Sequence, residues 1–253
     1  MRTVRCNGCI GPTTRGRSSH DSPRHAERHA PAQAAWPLFG IRIRTPRLEL
    51  RPVDDDLIPV LARVARQGIH DPGHMPFGNG WTDRADEDWE SGFARYFWSQ
   101  RGRWSVDSWA LPFAVLLDGS PVGVQQLTAE SFSVLRTVGT GSWLSEREQG
   151  RGLGTEMRSA VLHFGFDVLG AELAITGAFA TNEGSIRVSQ KIGYLANGIR
   201  RDRVRDTAVD AHLFRLPRDL WYRTTGVPVD VEGFAGCERL FGLQPTSSAE
   251  AAG

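Results

Sequence analysis

The spacing of apolar residues changes several times between Trp36 and Pro217, and each change predicts an element. Ile41, Ile43, Leu48 and Leu50 alternate with charged residues around Pro46, which predicts one or two short strands. After Asp54-Asp55-Asp56 the period lengthens, and Leu57, Leu61 and Val64 fall on one helical stripe. An acidic start suits the positive end of that helix. Gly68 and the run from His70 to Gly78 predict an irregular loop. Trp89, Phe93, Tyr96 and Phe97 then recur at helical spacing, as the core-facing aromatics of a second helix that begins in the acidic run 83–88.

A hairpin follows: Phe113–Leu117 and Val122–Leu127 flank the turn Asp118-Gly119-Ser120-Pro121. A strand over about Thr137 to Leu144 enters a glycine-rich turn. Beyond it Met157, Ala160, Val161, Phe164 and Val168 share a helical face that ends at Gly170. Leu173–Phe179 is apolar on both sides and reads as a buried strand. Asn182 is placed to cap a helix running to about Ile192, with Gly193 at its end. Strands near Ile199–Arg205 and Val209–Leu216 close the pattern. The order β-α-α-β-β-β-α-β-α-β-β predicts an α/β (α+β) fold. A strand, crossover helix and strand imply one parallel pair. The hairpins make the rest of a six- to seven-stranded sheet antiparallel, with helices flanking it.

Composition adds boundaries. Residues 1–35 are rich in Arg, Ser, His, Pro and Ala and lack apolar periodicity, so a disordered extension is expected. Cys6, Cys9, His20 and His25 have near zinc-finger spacing. The stretch between the pairs lacks apolar residues for a finger core, and Pro23 interrupts the required helix, so no metal is expected. Residues 36–223 form the predicted domain. Residues 224–253 form a tail in which Val229, Val231, Phe234, Leu240 and Phe241 could dock onto the domain or a partner subunit, which makes a homodimer reasonable. A net charge of +1 gives no case for nucleic acid or a membrane surface. With no apolar run of membrane-spanning length, no secretory signal and few cysteines, a cytoplasmic protein is expected.

The turn Gln149-Gly-Arg-Gly-Leu-Gly154 carries the chemistry. Glycines 150, 152 and 154 let backbone N–H groups approach an anion, and the following helix aims its first-turn donors at the same point. A phosphate-binding loop of the kinase type needs Gly-Lys-Ser/Thr, but Gly154 is followed by Thr155-Glu156. A dinucleotide fingerprint needs G-x-G-x-x-G at a first strand, whereas G-x-G-x-G here follows a late one.

Gln149-x-x-Gly152-x-Gly154 resembles the acyl-CoA pyrophosphate loop of the GNAT N-acyltransferases. Asn182-x-x-Ser185-x-x-Val188-Ser189-x-x-x-Gly193-Tyr194 is similar to the family's helix beside the pantetheine arm. Thr45-Pro46-Arg47-Leu48-Glu49-Leu50-Arg51-Pro52 resembles the first strand of the ribosomal-protein alanine acetyltransferase branch. The resemblance spans about Ile41 to Arg223. Trp36-Pro-Leu-Phe39, the His70–Phe77 loop and Ser142-Trp-Leu144 resemble actinobacterial members, some associated with succinyl-CoA. It implies the GNAT fold, in which the parallel strands splay apart. It also implies a thioester cosubstrate, acetyl-CoA or succinyl-CoA, and an amine acceptor in a protein or a small molecule.

The same resemblance assigns roles. Backbone groups from Gln149 through Gly150, Arg151, Gly152, Leu153 and Gly154 to Thr155 would grip the pyrophosphate. Trp143, Leu144, Ser145, Asn182 and Ser185 would line the coenzyme, with Leu144 or Ser145 donating to the thioester oxygen. Many relatives have a tyrosine at the position of Ser189 that protonates the thiolate; Ser189 is the expected counterpart. His70 is the expected base, with Glu130 and Asp210 as alternatives. A succinyl carboxylate would need a partner among His70, Gln125, Gln126 and Arg95. The alternative function is a catalytically weak acyl-CoA-binding or regulatory protein of the same fold.

Overall fold

One sheet of nine strands, in the order β7-β8-β6-β5-β4-β3-β2-β1-β9, organises the chain. The computed structural model describes residues 33–83, 85–224 and 226–244, and the Cys6, Cys9, His20 and His25 set lies outside them. The strands are β1 Arg42–Arg44, β2 Leu48–Pro52, β3 Trp109–Leu117, β4 Ser120–Ala129, β5 Thr137–Leu144, β6 Leu173–Phe179, β7 Leu195–Val204, β8 Thr207–Pro217 and β9 Asp230–Glu232. Every neighbouring pair is antiparallel except β5 with β6, which is parallel. The expected fold class is therefore present. The count rises from six or seven to nine because the Ile41–Leu50 pattern makes two strands and the tail supplies β9. No helix among the described residues is long and apolar enough to cross a membrane.

Period-2 alternation on β3 and β4 divides the interior into two cores. Trp109, Leu111, Phe113, Val115, Leu127 and Ala129 face one; Ala114, Leu116 and Val124 face the other. The second core is closed by helices α1, Leu57–Arg66, and α2, Trp89–Gly102. Leu61 is fully buried there and Phe93 and Phe97 nearly so, each such side chain contributing roughly 1.5–3 kcal/mol. The first core is covered by α3, Leu153–His163, and its π-helical continuation Phe164–Val168. The sequence stripe on that helix runs on toward Gly170, but the backbone widens at Phe164, whose carbonyl accepts from Leu169 N–H. Phe164 packs against Phe113 on the sheet, while Phe166 stacks on Trp221.

The tail docks on its own domain. β9 extends the sheet by pairing with β1, Ile43 opposite Val231. Phe234 and Phe241 pack on Phe164, and Trp104 Nε1 donates to the Leu240 carbonyl at 2.9 Å. The apolar set that made a dimer reasonable is thus largely covered within one chain.

Candidate active site

The parallel pair β5–β6 is registered only from Thr137 opposite Leu173 to Gly139 opposite Ile175. Beyond that point each strand follows its outer neighbour: β5 stays on β4 to Leu144, and β6 stays on β8 to Phe179. The strands therefore splay, and Thr176 Oγ1 reaches across to the Thr140 carbonyl at 3.1 Å where they part. A cavity of about 890 Å³ opens from this divergence.

Alternation of hydrogen-bonded pairs decides which β5 amides face that cavity. Ser145 N–H donates to the Val122 carbonyl at 2.8 Å. With Gly123 opposite Leu144 and Val124 opposite Trp143, the amides of Trp143 and Gly141 also face β4. Those of Leu144 and Ser142 face the splay. Of the two thioester donors expected from sequence, Leu144 is available and Ser145 is committed to the sheet. Ser142 was missed as a donor because pairing register, not sequence pattern, aims it.

The glycine loop closes the other end. Gly150 and Gly152 have φ of 73° and 81°, a conformation that L side chains adopt at a cost. The N–H groups of Gly150, Arg151, Gly152, Leu153 and Gly154 have no backbone acceptor among the described residues. They form an anion-binding concavity at the start of α3. Gln149, Gly150, Gly152, Gly154 and Thr155 line the cavity. The Gln149 side chain is a strut: its Nε2 donates to the Ile69 and Leu144 carbonyls, both at 2.9 Å. The exposed Arg151 side chain pairs with Glu148, and Leu153 is core, so Leu153 can offer only backbone to a ligand.

Buried Glu156 fixes this loop to the first hairpin. It accepts from Thr45 Oγ1 at 2.6 Å, Arg47 N–H at 3.1 Å and Arg47 Nε at 2.6 Å. The Thr45-Pro46-Arg47 turn, singled out only by resemblance, is thus a brace for the loop.

Helix α4, Glu183–Ile192, forms the opposite wall. Asn182 Oδ1 accepts Ser185 N–H at 3.1 Å, and Gly193 closes the helix with φ of 95°, as the capping pattern predicts. Asn182 and Ser185 line the cavity. Ser189 is fully buried, donates to the Ser185 carbonyl at 3.0 Å and accepts from Arg158 Nη1 at 2.9 Å. Arg158 lines the cavity, and Ser189 lies behind it. Nothing in the sequence pattern pointed to Arg158.

The far side is a chamber of rings. Phe77 touches His70, Trp81 touches Phe77, and Trp143 approaches both Trp81 and Phe93. The Phe93 and Tyr96 rings expected only as core also line the cavity. His70 Nδ1 faces the Asp71 carbonyl at 2.8 Å, and Nε2 faces Thr82 Oγ1 at 2.9 Å. A carbonyl only accepts, so Nδ1 carries hydrogen, and the Thr82 hydroxyl beside Nε2 also points at Met75 Sδ, 3.7 Å away. Tyr96 donates to Gln126 Oε1 at 2.6 Å, and burial raises its phenol pKa. Gln126 lines the cavity. Glu130, Asp210 and Arg95 lie outside its wall, and buried Gln125 turns its amide to the Gly141 carbonyl.

A glycine turn with unspent amides thus stands at the start of a helix, at the mouth of a splayed parallel strand pair. An acetyltransferase (GNAT) domain matches residues 47–195, and the chain belongs to that family. Its fold is similar to that of RimJ from Mycobacterium smegmatis in complex with CoA-disulfide. The identity is 20%, 73% of this chain and 89% of that one are covered, and the TM-score is 0.60. A GCN5-related N-acetyltransferase from Brucella melitensis matches at 20% identity over 72% and 80% of the two chains, TM-score 0.56. RimL, a ribosomal L7/L12 alpha-N-protein acetyltransferase in complex with coenzyme A, matches at 16% over 70% and 97%, TM-score 0.54.

Proposed function

We propose that this protein transfers an acetyl or succinyl group from CoA to an amine by direct attack on the thioester. The observation that carries the reading is the pair of β5 amides, Ser142 and Leu144, turned into the splay between a phosphate cradle and a ring-lined chamber. The pyrophosphate lies on the Gly150–Gly154 amides, at the positive end of α3; the Gln149 and Thr155 amides, also expected to grip it, are spent on the Glu146 and Gly152 carbonyls. The pantetheine arm runs along β5 against Asn182 and Ser185. Two amides on one strand edge stand about 7 Å apart, a spacing that suits successive carbonyls of an extended arm. Leu144 holds the arm near the loop, and Ser142, one pair deeper, meets the thioester oxygen. Negative charge grows on that oxygen in the transition state, where a fixed donor is most effective.

The amine enters through the chamber of Phe77, Trp81 and Trp143. His70, which stands on the cavity wall, accepts its proton at Nε2. The acceptor is a protein amino group or a small amine. Of the four groups that could meet a succinyl carboxylate, His70 and Gln126 stand on the cavity wall, so the donor comparison bears on these two.

Native mass spectrometry of the purified protein should show a bound CoA ester. Thiol release with acetyl-CoA and succinyl-CoA, across an amine panel, tests turnover. Ester binding with no amine-dependent thiol release would make this an acyl-CoA-binding or regulatory protein instead.

A further inference from the structure

Among the described residues, Arg158 is the one arginine or lysine buried from solvent, with 4% of its surface exposed. It has no carboxylate partner. Nη1 donates to Ser189 at 2.9 Å, Nη2 to Ser185 at 3.3 Å, and Nε has no acceptor. Glu156 lies on a different face of α3 and is held by Thr45 and Arg47. The titratable group that interacts with it is Tyr194, whose buried phenol is pushed up to about 12. Removing a cation from water without a counter-ion is costly, and burial lowers the guanidinium pKa accordingly.

This cation also lies on the cleft wall. Arg158, Thr140 and Thr176 line the same cavity, and the two threonines mark the point where the strands part. The Tyr194 and Thr140 hydroxyls are buried near each other without a well-formed hydrogen bond. Arg158 follows Gly154 by four residues on α3, about 6 Å further along the helix from the glycine loop. The wall there holds a positive charge and unspent donors.

Resting on the acyltransfer reading above, we propose that Arg158 is a catalytic residue that receives the coenzyme sulfur as a thiolate. The amine nitrogen bonds to the carbonyl carbon, and its proton leaves to His70. The C–S bond then breaks with its electron pair on sulfur. The thiolate is paired with the guanidinium and takes a proton only after release into water. Ser189 is a positioning residue: its own hydrogen is committed to the Ser185 carbonyl, and its lone pair holds Arg158 in place. No acidic side chain is required at position 189.

The test is an ultraviolet titration of CoA thiol bound to the protein, read as the difference from CoA-free protein. The Cys237 thiol, which burial pushes up to about 11, is removed by the subtraction. The bound thiol should titrate at least about one pH unit, tenfold in acidity, below free CoA. Arg158→Met should return it to the free value or above, Arg158→Lys should fall between, and Lys191→Met on the exposed rim should shift it less than Arg158→Met. Desulfo-CoA, which has no sulfur, should bind wild type and Arg158→Met within about twofold of each other.

An unperturbed bound thiol overturns the proposal, as does equal loss of desulfo-CoA and CoA binding. A defect confined to succinyl-CoA also overturns it and makes Arg158 a carboxylate site. If Arg158→Met does not fold, Arg158→Lys decides, since a thiol pKa identical to wild type with the chain length changed denies the guanidinium this role. The titration needs no turnover, so the two failures are distinguishable: absent transferase activity overturns the acyltransfer reading and the catalytic role with it, whereas an unperturbed bound thiol in an active enzyme overturns the role of Arg158 alone.

Discussion

The two ends of the cleft are built by different means. The coenzyme end is made of backbone held by buried side-chain bonds: Glu156 to Thr45 and Arg47, Gln149 to Ile69 and Leu144, Arg158 to Ser185 and Ser189. The acceptor end is made of rings on a loop and a helix, tied to the β7–β8 hairpin by the exposed pair of Arg205 and Asp83. On the proposed reading, one end would bind a fixed chemical group through groups that every residue owns. The other would recognise an amine through side chains alone, so substitutions there should do little damage to the fold.

That contrast can be broken most strongly at Gly152. A β-branched side chain is strained at a φ of 81°. Gly152→Val should raise KM for acyl-CoA about 100-fold, equivalent to roughly 2.7 kcal/mol of binding, while KM for the amine changes little. Equal effects on both substrates would erase the division.

His70→Gln should lower kcat by about 100-fold, the lower range for loss of an acid–base group, with acyl-CoA binding by calorimetry unchanged. A kcat within twofold of wild type would remove His70 from the proton path.

Next comes Arg47→Met, which leaves the buried Glu156 carboxylate with only Thr45 Oγ1 and the backbone N–H at position 47. The loss in urea unfolding should be about 2 kcal/mol, below the range for a fully buried pair because the Arg47 side chain is 47% exposed, with weaker CoA binding as the loop loosens. Glu156→Gln should cost less, about 1 kcal/mol, because the half-exposed guanidinium is left to water.

In the chamber, Trp81→Leu should raise KM for the amine about tenfold, or about 1.4 kcal/mol. Its stability loss should be smaller than that of Arg47→Met, since Trp81 is only half-buried.

The smallest effect belongs to Asp83. Hydrogen bonds from Arg205 hold its carboxyl below the usual carboxylate range. A depressed folded pKa stabilises the protein above the unfolded value of about 3.9 and loses that contribution as pH falls through the folded one. Asp83→Asn should therefore be slightly less stable at pH 7, and the two unfolding curves should converge in acid. A gap independent of pH would show that the charge is not what ties the hairpin to the chamber.

Legibility follows the same division. The existence of the strand Leu173–Phe179, like the Asn182 cap, Gly193 and the glycine turn, was readable because each depends on neighbours within a few residues. The expected burial of that strand on both sides was not met, since Ile175 is 41% exposed and Gly177 is exposed on the same face. The β5–β6 parallel pair followed from the strand–helix–strand order. The tail illustrates the limit: its apolar residues were visible, but only pairing of Val231 with Ile43 showed that they cover this domain. Ser142 and Leu144 could not be distinguished from Ser145 without the register against β4. Arg158 was hidden because a charged residue on an amphipathic helix reads as solvated until α4 is packed over it.

By itself, the sequence determined the elements, the phosphate-binding turn and the family resemblance, since backbone torsion and periodic burial are local properties. The tertiary structure decided which amides face the cleft, which rings wall the chamber and which cation is left without a partner. Those depend on strand register and helix docking, which join residues far apart in the chain.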